Sequence, residues 1–418
     1  MNREDYVSML AKQCVHCVTK PCQVGCPLNN DTTGFIALAR EGKFREAYEL
    51  LSKTTVLSSV CGRICPHEKQ CQGMCVKRVS YEEVSIGEIE AFIGDKALEN
   101  HWQEKLNLPN KKKRVAVVGG GPSGLTCAAF LRRKGYPVTI YESHDYLGGL
   151  LYHGIPDFRL PKDLLKKVID SILELGIEVK YQETLGKTFT LQDLEREYDA
   201  IFLGIGANIS NKMNIPGEDL VGVYGGNELL ETQGHPDYTD KVVVVSGGGN
   251  VAMDVSRTIQ RMGAKKVYVV YRRSEKEAPA EAKEIEDARK EGIEFLFQNN
   301  IVRVVGTDVV SGVELVRTKL VSKENSSRLV PVNIEDSNYI LSCDYVIMAV
   351  GSKPDESIVS SLGVACDSNG KIIIDESGHT SFEKVFAGGD VAGVKGTVAF
   401  AARSGRNASY AIEEYLNS

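Results

Sequence analysis

From residue 115 onward, short apolar runs alternate with stretches of helical spacing, and glycine turns follow several of the runs. Val115-Ala-Val-Val118, Val138-Thr-Ile-Tyr141, Val242-Val-Val-Val245 and Val267-Tyr-Val-Val270 have the continuous apolar character of strands buried on both faces of a parallel sheet. Helical crossovers between them are the expected connections. The pattern occurs twice, which predicts two α/β dinucleotide-binding units. The run Tyr198–Gly206 has a late counterpart in Asp344–Gly351, and the pair is expected to mark where the chain leaves one domain and returns to it. Upstream the periodicity changes. Thr33–Ser52 and Ile86–Asn100 carry apolar residues at helical spacing, with few β-branched runs and no hairpin signal. This predicts a helical front domain over residues 1–108, joined to the body through the polar stretch Asn107–Arg114. The two α/β domains are expected over 109–225 with 345–418, and over 226–344.

A chain of 418 residues has room for two or three such domains. Its 50 basic and 56 acidic side chains leave a net charge of −6, which provides no general attraction to nucleic acid or anionic lipid. No apolar run approaches the roughly 18 residues of a membrane span. The mixed-charge start MNREDYVSML lacks a signal-peptide pattern. A cytoplasmic protein is expected. In a reducing compartment its 11 cysteines argue for metal or redox chemistry rather than disulfides, particularly because eight fall within the first 75 residues.

After the strand at Val115–Val118 comes Gly119-Gly-Gly121-Pro-Ser-Gly124 and a helix start, and Glu142 ends the next strand. In that context the glycines have separate tasks. Gly119 permits the tight turn, Gly121 lets the backbone approach a pyrophosphate, and Gly124 allows close helix packing. The helix N-terminus adds N–H groups and a positive dipole end, and Glu142 is the expected ribose acceptor. A distant segment, Val385-Phe-Ala-Gly-Gly389-Asp390, favours FAD over NAD here. Asp390 is a candidate for the ribityl or diphosphate region. The helix beginning near Thr397 and Val398 would direct its dipole at the flavin's pyrimidine edge, where negative charge develops on reduction.

The second fingerprint is Gly247-Gly-Gly249-Asn250-Val251-Ala252, and the following strand ends in Tyr271-Arg272-Arg273, where an NAD site would carry an acid. Two arginines at that position favour the 2′-phosphate of NADPH. Asp254 and the carboxylates from Glu277 to Glu286 are read as solvated charges with no catalytic role.

In the front domain, Cys14-x2-Cys17-x4-Cys22-x3-Cys26-Pro27 is followed by Cys61-x3-Cys65-Pro66-x4-Cys71-x3-Cys75. Runs ending in Cys-Pro follow ferredoxin spacing more closely than the matched pairs of zinc knuckles, so iron–sulfur is favoured over zinc. In two-cluster ferredoxins the fourth cysteine of a run serves the other cluster. That interleaving assigns Cys14, Cys17, Cys22 and Cys75 to one cluster, and Cys26, Cys65 and Cys71 to the second, whose fourth ligand is ambiguous. A count of eight thiolates for two clusters favours Cys61. Cys127, Cys343 and Cys366 stand alone and are read as small buried side chains, which disfavours a flavin-linked disulfide mechanism.

Taken together, these motifs make the whole chain resemble the NADPH-linked small (β) subunits of glutamate synthase and their relatives. Gly148-Gly149-Leu-Leu-Tyr-His-Gly-Ile-Pro-Asp-Phe-Arg-Leu-Pro161 is similar to that family's GGL-YGIP-FRLP signature beside the flavin, although His153 is an extra residue within it. The relatives include the electron-input half or subunit of dihydropyrimidine dehydrogenase and the large subunit of a bifurcating transhydrogenase. The resemblance implies hydride transfer from NADPH directly to FAD, with no catalytic side chain, and electron passage through two 4Fe-4S clusters to a partner subunit. It further implies that Glu90, in the segment Ile86-Gly-Glu-Ile-Glu90, is the fourth ligand of the second cluster, with Cys61 spare.

Glutamate synthesis by this chain alone is not expected, because neither an N-terminal glutaminase cysteine nor an FMN-binding barrel is visible. Pyrimidine reduction and bifurcating transhydrogenation would use the same machinery with a different partner. A non-catalytic iron–sulfur sensor or assembly protein is the rival of another class, and it need not reduce its flavin with NADPH.

Overall fold

The computed structural model describes residues 2–79, 82–103, 110–232, 234–322 and 329–418, and the chain divides into two compact units. The first comprises residues 1–152, 157–207 and 354–418. Its front is helical, with Arg3–Ala11, Pro21–Gly25, Thr32–Arg40, Phe44–Ser52, Ser58–Ile64 and Ile86–Glu99. The expected Thr33–Ser52 helical region is two helices, because the chain turns through Gly42 at φ +73°. Left-handed backbone there suits glycine. Val7, Phe35, Ile36, Phe44, Leu51, Ile89 and Ile93 form the apolar core between these helices. The expected boundary at residue 108 and part of the expected linker lie outside the described residues. Beyond them, Lys111 N–H donates to the Gly135 carbonyl at 2.8 Å.

The same unit holds a parallel five-stranded sheet in the order Val385–Ala387, Ala200–Leu203, Val115–Val118, Val138–Tyr141, Glu178–Lys180. The central strands are buried throughout, which explains their unbroken apolar sequence. The C-terminal helix Val398–Asn417 packs on the helix Pro122–Arg133 so closely that a Cβ on Gly405 would lie 2.0 Å from the Ser123 carbonyl oxygen.

The second unit, 153–156 with 208–353, holds another parallel sheet in the order Val223–Gly225, Tyr345–Met348, Val242–Ser246, Lys266–Tyr271, Glu294–Phe297. Here the structure differs from the expected boundaries at 225/226 and 344/345. Val223–Gly225 and Tyr345–Met348 were expected with the first α/β domain, yet Tyr345–Met348 is hydrogen-bonded between Val223–Gly225 and Val242–Ser246. The runs ending at Gly206 and Gly351 do come just before the two crossings between units, but each is an inner strand of its own sheet. Ile209–Ser210 pairs antiparallel with Ser352–Lys353, joining the incoming and outgoing chain. An antiparallel sheet of Asn299–Gly306, Val310–Val321, Val330–Asn333 and Tyr339–Ser342, which the apolar runs did not predict, completes the unit. Among the described residues, no helix is long and apolar enough to cross a membrane.

Candidate functional site

In the first unit, the ends of three neighbouring strands converge on one loop cluster. Gly119 turns at φ +96°, and a Cβ there would lie 2.5 Å from the Gly204 carbonyl oxygen. Gly121 caps the helix Pro122–Arg133 with extended backbone, and a Cβ on it would meet no atom within 4 Å. A Cβ on Gly124 would instead lie 1.9 Å from the Gly119 carbonyl oxygen. Gly124 therefore serves packing, while Gly121 leaves the opening that a pyrophosphate needs. Gly148 N–H donates to the Gly120 carbonyl at 2.8 Å, and Gly149, at φ +52°, brings its backbone beside Gly121. Gly389, at φ +72°, donates its N–H to Ser404 Oγ at 2.9 Å. Asp390 follows, and burial raises its pKa against the lowering effect of Lys371. Thr397 caps the helix that starts at Val398 by accepting the Phe400 N–H.

Glu142 is already engaged with its own loop. Its carboxylate accepts from Gly120 N–H at 2.8 Å, His144 N–H at 3.0 Å and Ser143 Oγ at 3.0 Å. Burial alone would raise its pKa, but hydrogen bonds from His144, Gly120 and Ser143 outweigh that effect and hold it below the ordinary carboxylate value. Glu142 thus fixes the glycine loop as an anion.

In the second unit, Gly247 adopts φ +145°, where a Cβ would lie 2.2 Å from the Ala349 carbonyl oxygen. Gly249 caps the helix Asn250–Arg261, and a Cβ on it would meet nothing within 4 Å. Val251 is half-buried in the first turn. Ala252 is fully buried, its methyl filling the place of the third glycine. Asn250 Oδ1, Arg273 Nε and Arg273 Nη1 are buried without hydrogen-bond partners among the described residues. Leaving such groups unpaired is costly, and a bound phosphate would satisfy the guanidinium. Arg272 is exposed, with its carbonyl accepting from Thr318 Oγ1 at 2.8 Å.

The open space at Gly249 leads to a prediction. Gly249→Ala should leave the denaturation midpoint unchanged, because its φ of −98° suits alanine and the methyl meets no neighbour. It should weaken NADPH binding by on the order of tenfold if, as the glycine fingerprint predicts, the pyrophosphate approaches the backbone at Gly249. Calorimetric titration together with chemical denaturation checks both halves.

The front domain brings the first cysteine set together: Cys14, Cys17, Cys22 and Cys75 line one cavity with Pro21, Val76 and Ile86. The second set is buried more deeply. Cys65 and Cys71 are buried, Cys26 is half-buried, and Glu90 and Cys61 are buried beside them on the helices Ile86–Glu99 and Ser58–Ile64. Burial first, and then Glu90, pushes the Cys26 thiol up to about 12. Cys71 is raised by burial, Glu90 and Cys26, whereas for Cys65 a hydrogen bond with Cys61 comes first, then burial. Burial lifts Glu90 to about 8, and Asn30 Nδ2 donates to its Oε1 at 3.3 Å. Burial likewise raises Cys14 and Cys22. So many acids in one buried space ionise together only around positive charge, which fits a metal centre. The geometry keeps both Cys61 and Glu90 near the second set. Cys127 and Cys343 are buried apart from these sets, and Cys366 donates to the Val364 carbonyl at 3.4 Å.

Two residues escaped the sequence reading. Gln70, beside Cys71, donates through Nε2 to Thr397 Oγ1 at 3.5 Å, and Arg406 Nη1 donates to the carbonyls of Leu28 at 2.8 Å and Thr54 at 2.9 Å. Neither belongs to a motif: Gln70 is a lone polar residue in a turn, and Arg406 a single charge on an amphipathic helix, both of which read as solvated.

Comparison with known proteins matches residues 103–413 to the pyridine nucleotide-disulphide oxidoreductase family, and residues 2–102 to dihydropyrimidine dehydrogenase domain II, 4Fe-4S cluster. The glutamate synthase [NADPH] small chain of Escherichia coli is 37% identical over 97% of this chain and 90% of its own. The NADPH-Fe(3+) oxidoreductase subunit beta of Geobacter sulfurreducens is also 37% identical, over 89% of this chain and 60% of its own. Among solved structures, Mycobacterium tuberculosis FprA in complex with NADPH matches with a TM-score of 0.67 at 19% identity, over 73% of this chain and 85% of that one. At that identity the likeness is one of fold.

Proposed function

Because the chain belongs to the pyridine nucleotide-disulphide oxidoreductase family, within the group of glutamate synthase small chains, we propose that it is the electron-input subunit of a larger enzyme and carries two 4Fe-4S clusters. The chain is an NADPH-dependent flavin and iron–sulfur oxidoreductase. When bound, FAD would supply a two-electron acceptor for hydride from NADPH, and clusters held by the front-domain cysteines would supply one-electron carriers toward a partner. The observation that carries the two-cluster reading is the interleaving of the thiols. Cys75 joins Cys14, Cys17 and Cys22 around one cavity, while Cys26 lies in the company of Cys65, Cys71 and Glu90.

In this reading, Gly119, Gly121, Gly124 and Gly149 hold the flavin's pyrophosphate side, while Asp390, Thr397 and Val398 face its ribityl and ring portions. Gly247, Gly249, Asn250 and Val251 admit the NADPH pyrophosphate, and Arg272 and Arg273 take the 2′-phosphate. Glu90 is the fourth ligand at Cys26, Cys65 and Cys71. The Gln70 contact with Thr397 supports placing this group next to the flavin. Cys22, which lies close enough to Cys71 to influence its charge, supports the Cys14 group as the next step. That group is the outlet, since Val15 and Val76 line its cavity and are 63% and 45% exposed. An exposed apolar rim suits a protein acceptor.

A glutamate synthase large-subunit-like protein is the proposed partner. A dihydropyrimidine dehydrogenase-like acceptor is the second reading, favoured by the match over residues 2–102. Mixing the purified chain with the large subunit from the same host tests this. A stable complex in which NADPH oxidation accelerates is expected, and an unbound, unstimulated large subunit would reject that partner.

A further inference from the structure

Arg406 lies on the C-terminal helix Val398–Asn417, and only 9% of it is exposed. Its Nη1 is fixed by the carbonyls of Leu28 and Thr54, and Leu28 is two residues beyond Cys26. Among the described residues, no carboxylate forms an ion pair with it. Arg257, also buried, is met by Glu284 at 2.6 Å and Glu291 at 2.8 Å. Arg132, like Arg406, is bound by carbonyls, those of Leu175 and Tyr136, but no charged neighbour influences it. Burial lowers the Arg406 pKa, and Tyr410 and Cys26 are the groups that oppose the shift. A buried cation without an anionic partner is costly in a medium that screens poorly.

We propose that Arg406 is the counter-cation of the cluster held at Cys26, raising its reduction potential relative to the Cys14 cluster. The inference rests on the proposed ligation by Cys26. A thiolate-ligated cluster is anionic, and reduction adds one electron from the flavin with no proton, so a fixed positive charge favours the reduced form. The Cys14 group also has a cation nearby, Arg40, but Arg40 is exposed and its field is screened by solvent. Arg406 touches neither substrate nor flavin in this account and acts as a positioning residue through the cluster. Its contact with the Leu28 carbonyl also ties the Cys26 loop to the helix that Thr397 caps, and its contact with Thr54 ties in the chain after the helix Phe44–Ser52.

The test uses the full chain, loaded with FAD and clusters, in the Arg406→Gln and Arg406→Lys forms. Midpoint potentials are read by EPR-monitored redox titration, together with iron content. Arg406→Gln should lower the midpoint of one cluster and leave the other in place, while Arg406→Lys should stay near the parent. If Arg406→Gln instead sheds one cluster and keeps FAD, while Arg406→Lys retains all its iron, the counter-charge is equally supported. Unchanged midpoints in a fully loaded Arg406→Gln protein would overturn the proposal. So would equal shifts or equal iron loss in both variants, which would assign the role to the guanidinium's shape. Cys26→Ser separates the two levels: if it changes neither iron content nor EPR signal, the ligand assignment itself fails.

Discussion

Cys75→Ser is expected to remove one cluster, lowering iron from about eight to about four per chain by the stoichiometry of two 4Fe-4S centres. Cys75 lines the cavity shared with Cys14, Cys17 and Cys22, so its loss breaks that set alone. NADPH should still bleach the FAD, because the glycine loops at Gly119–Gly124 and Gly247–Ala252 belong to other segments of the chain. Turnover with a one-electron acceptor that draws on the clusters should fall by about 10- to 100-fold or more, since even supporting residues around metal sites have effects of that size. Cys61→Ser is the matched control and should retain all its iron if Glu90, as proposed, completes the second set. Stopped-flow flavin reduction and acceptor turnover, measured on folded variants with FAD bound, decide the matter. Unchanged turnover in Cys75→Ser would leave the front domain with a structural role only.

The joint replacement of Arg272 and Arg273 by alanine should raise the KM for NADPH by about 10- to 100-fold, corresponding to the roughly 1.5–3 kcal/mol of hydrogen bonds to a charged group. The KM for NADH should barely move. Arg273 carries most of this expectation, because its Nε and Nη1 are buried and have no hydrogen-bond partner among the described residues. Arg272 is exposed and should contribute less. Equal effects on the two nucleotides in steady-state assays would reduce the pair to a structural loop.

The sequence displayed what depends on local pattern. Val115–Val118 and Val242–Ser246 are apolar because both faces of each strand are covered, and Gly119 and Gly247 are glycine because the turns after them have positive φ. The thiol spacing grouped Cys75 with the first run, and Cys75 does line one cavity with Cys14, Cys17 and Cys22. Contacts between distant segments were hidden. Tyr345–Met348 looks like the partner of Tyr198–Gly206, but only the hydrogen-bonded register places it beside Val242–Ser246. Val310–Val321 mixes buried and exposed positions, with Ser311, Arg317 and Lys319 exposed among buried and half-buried residues, so it contains no continuous apolar run. At Glu142 the residue type revealed an acid at the nucleotide loop, but not that Gly120, Ser143 and His144 already bind it. Arg406 had no signature at all, since its meaning lies in Leu28 and Thr54, 378 and 352 positions earlier.

The most direct test of the central claim is a joint assay of anaerobically purified protein for flavin, iron, acid-labile sulfide and NADPH-dependent bleaching. One FAD bleached by NADPH, with about eight iron and eight sulfide per chain, is expected. Stoichiometric zinc without sulfide, or a flavin that NADPH leaves oxidised, would contradict it.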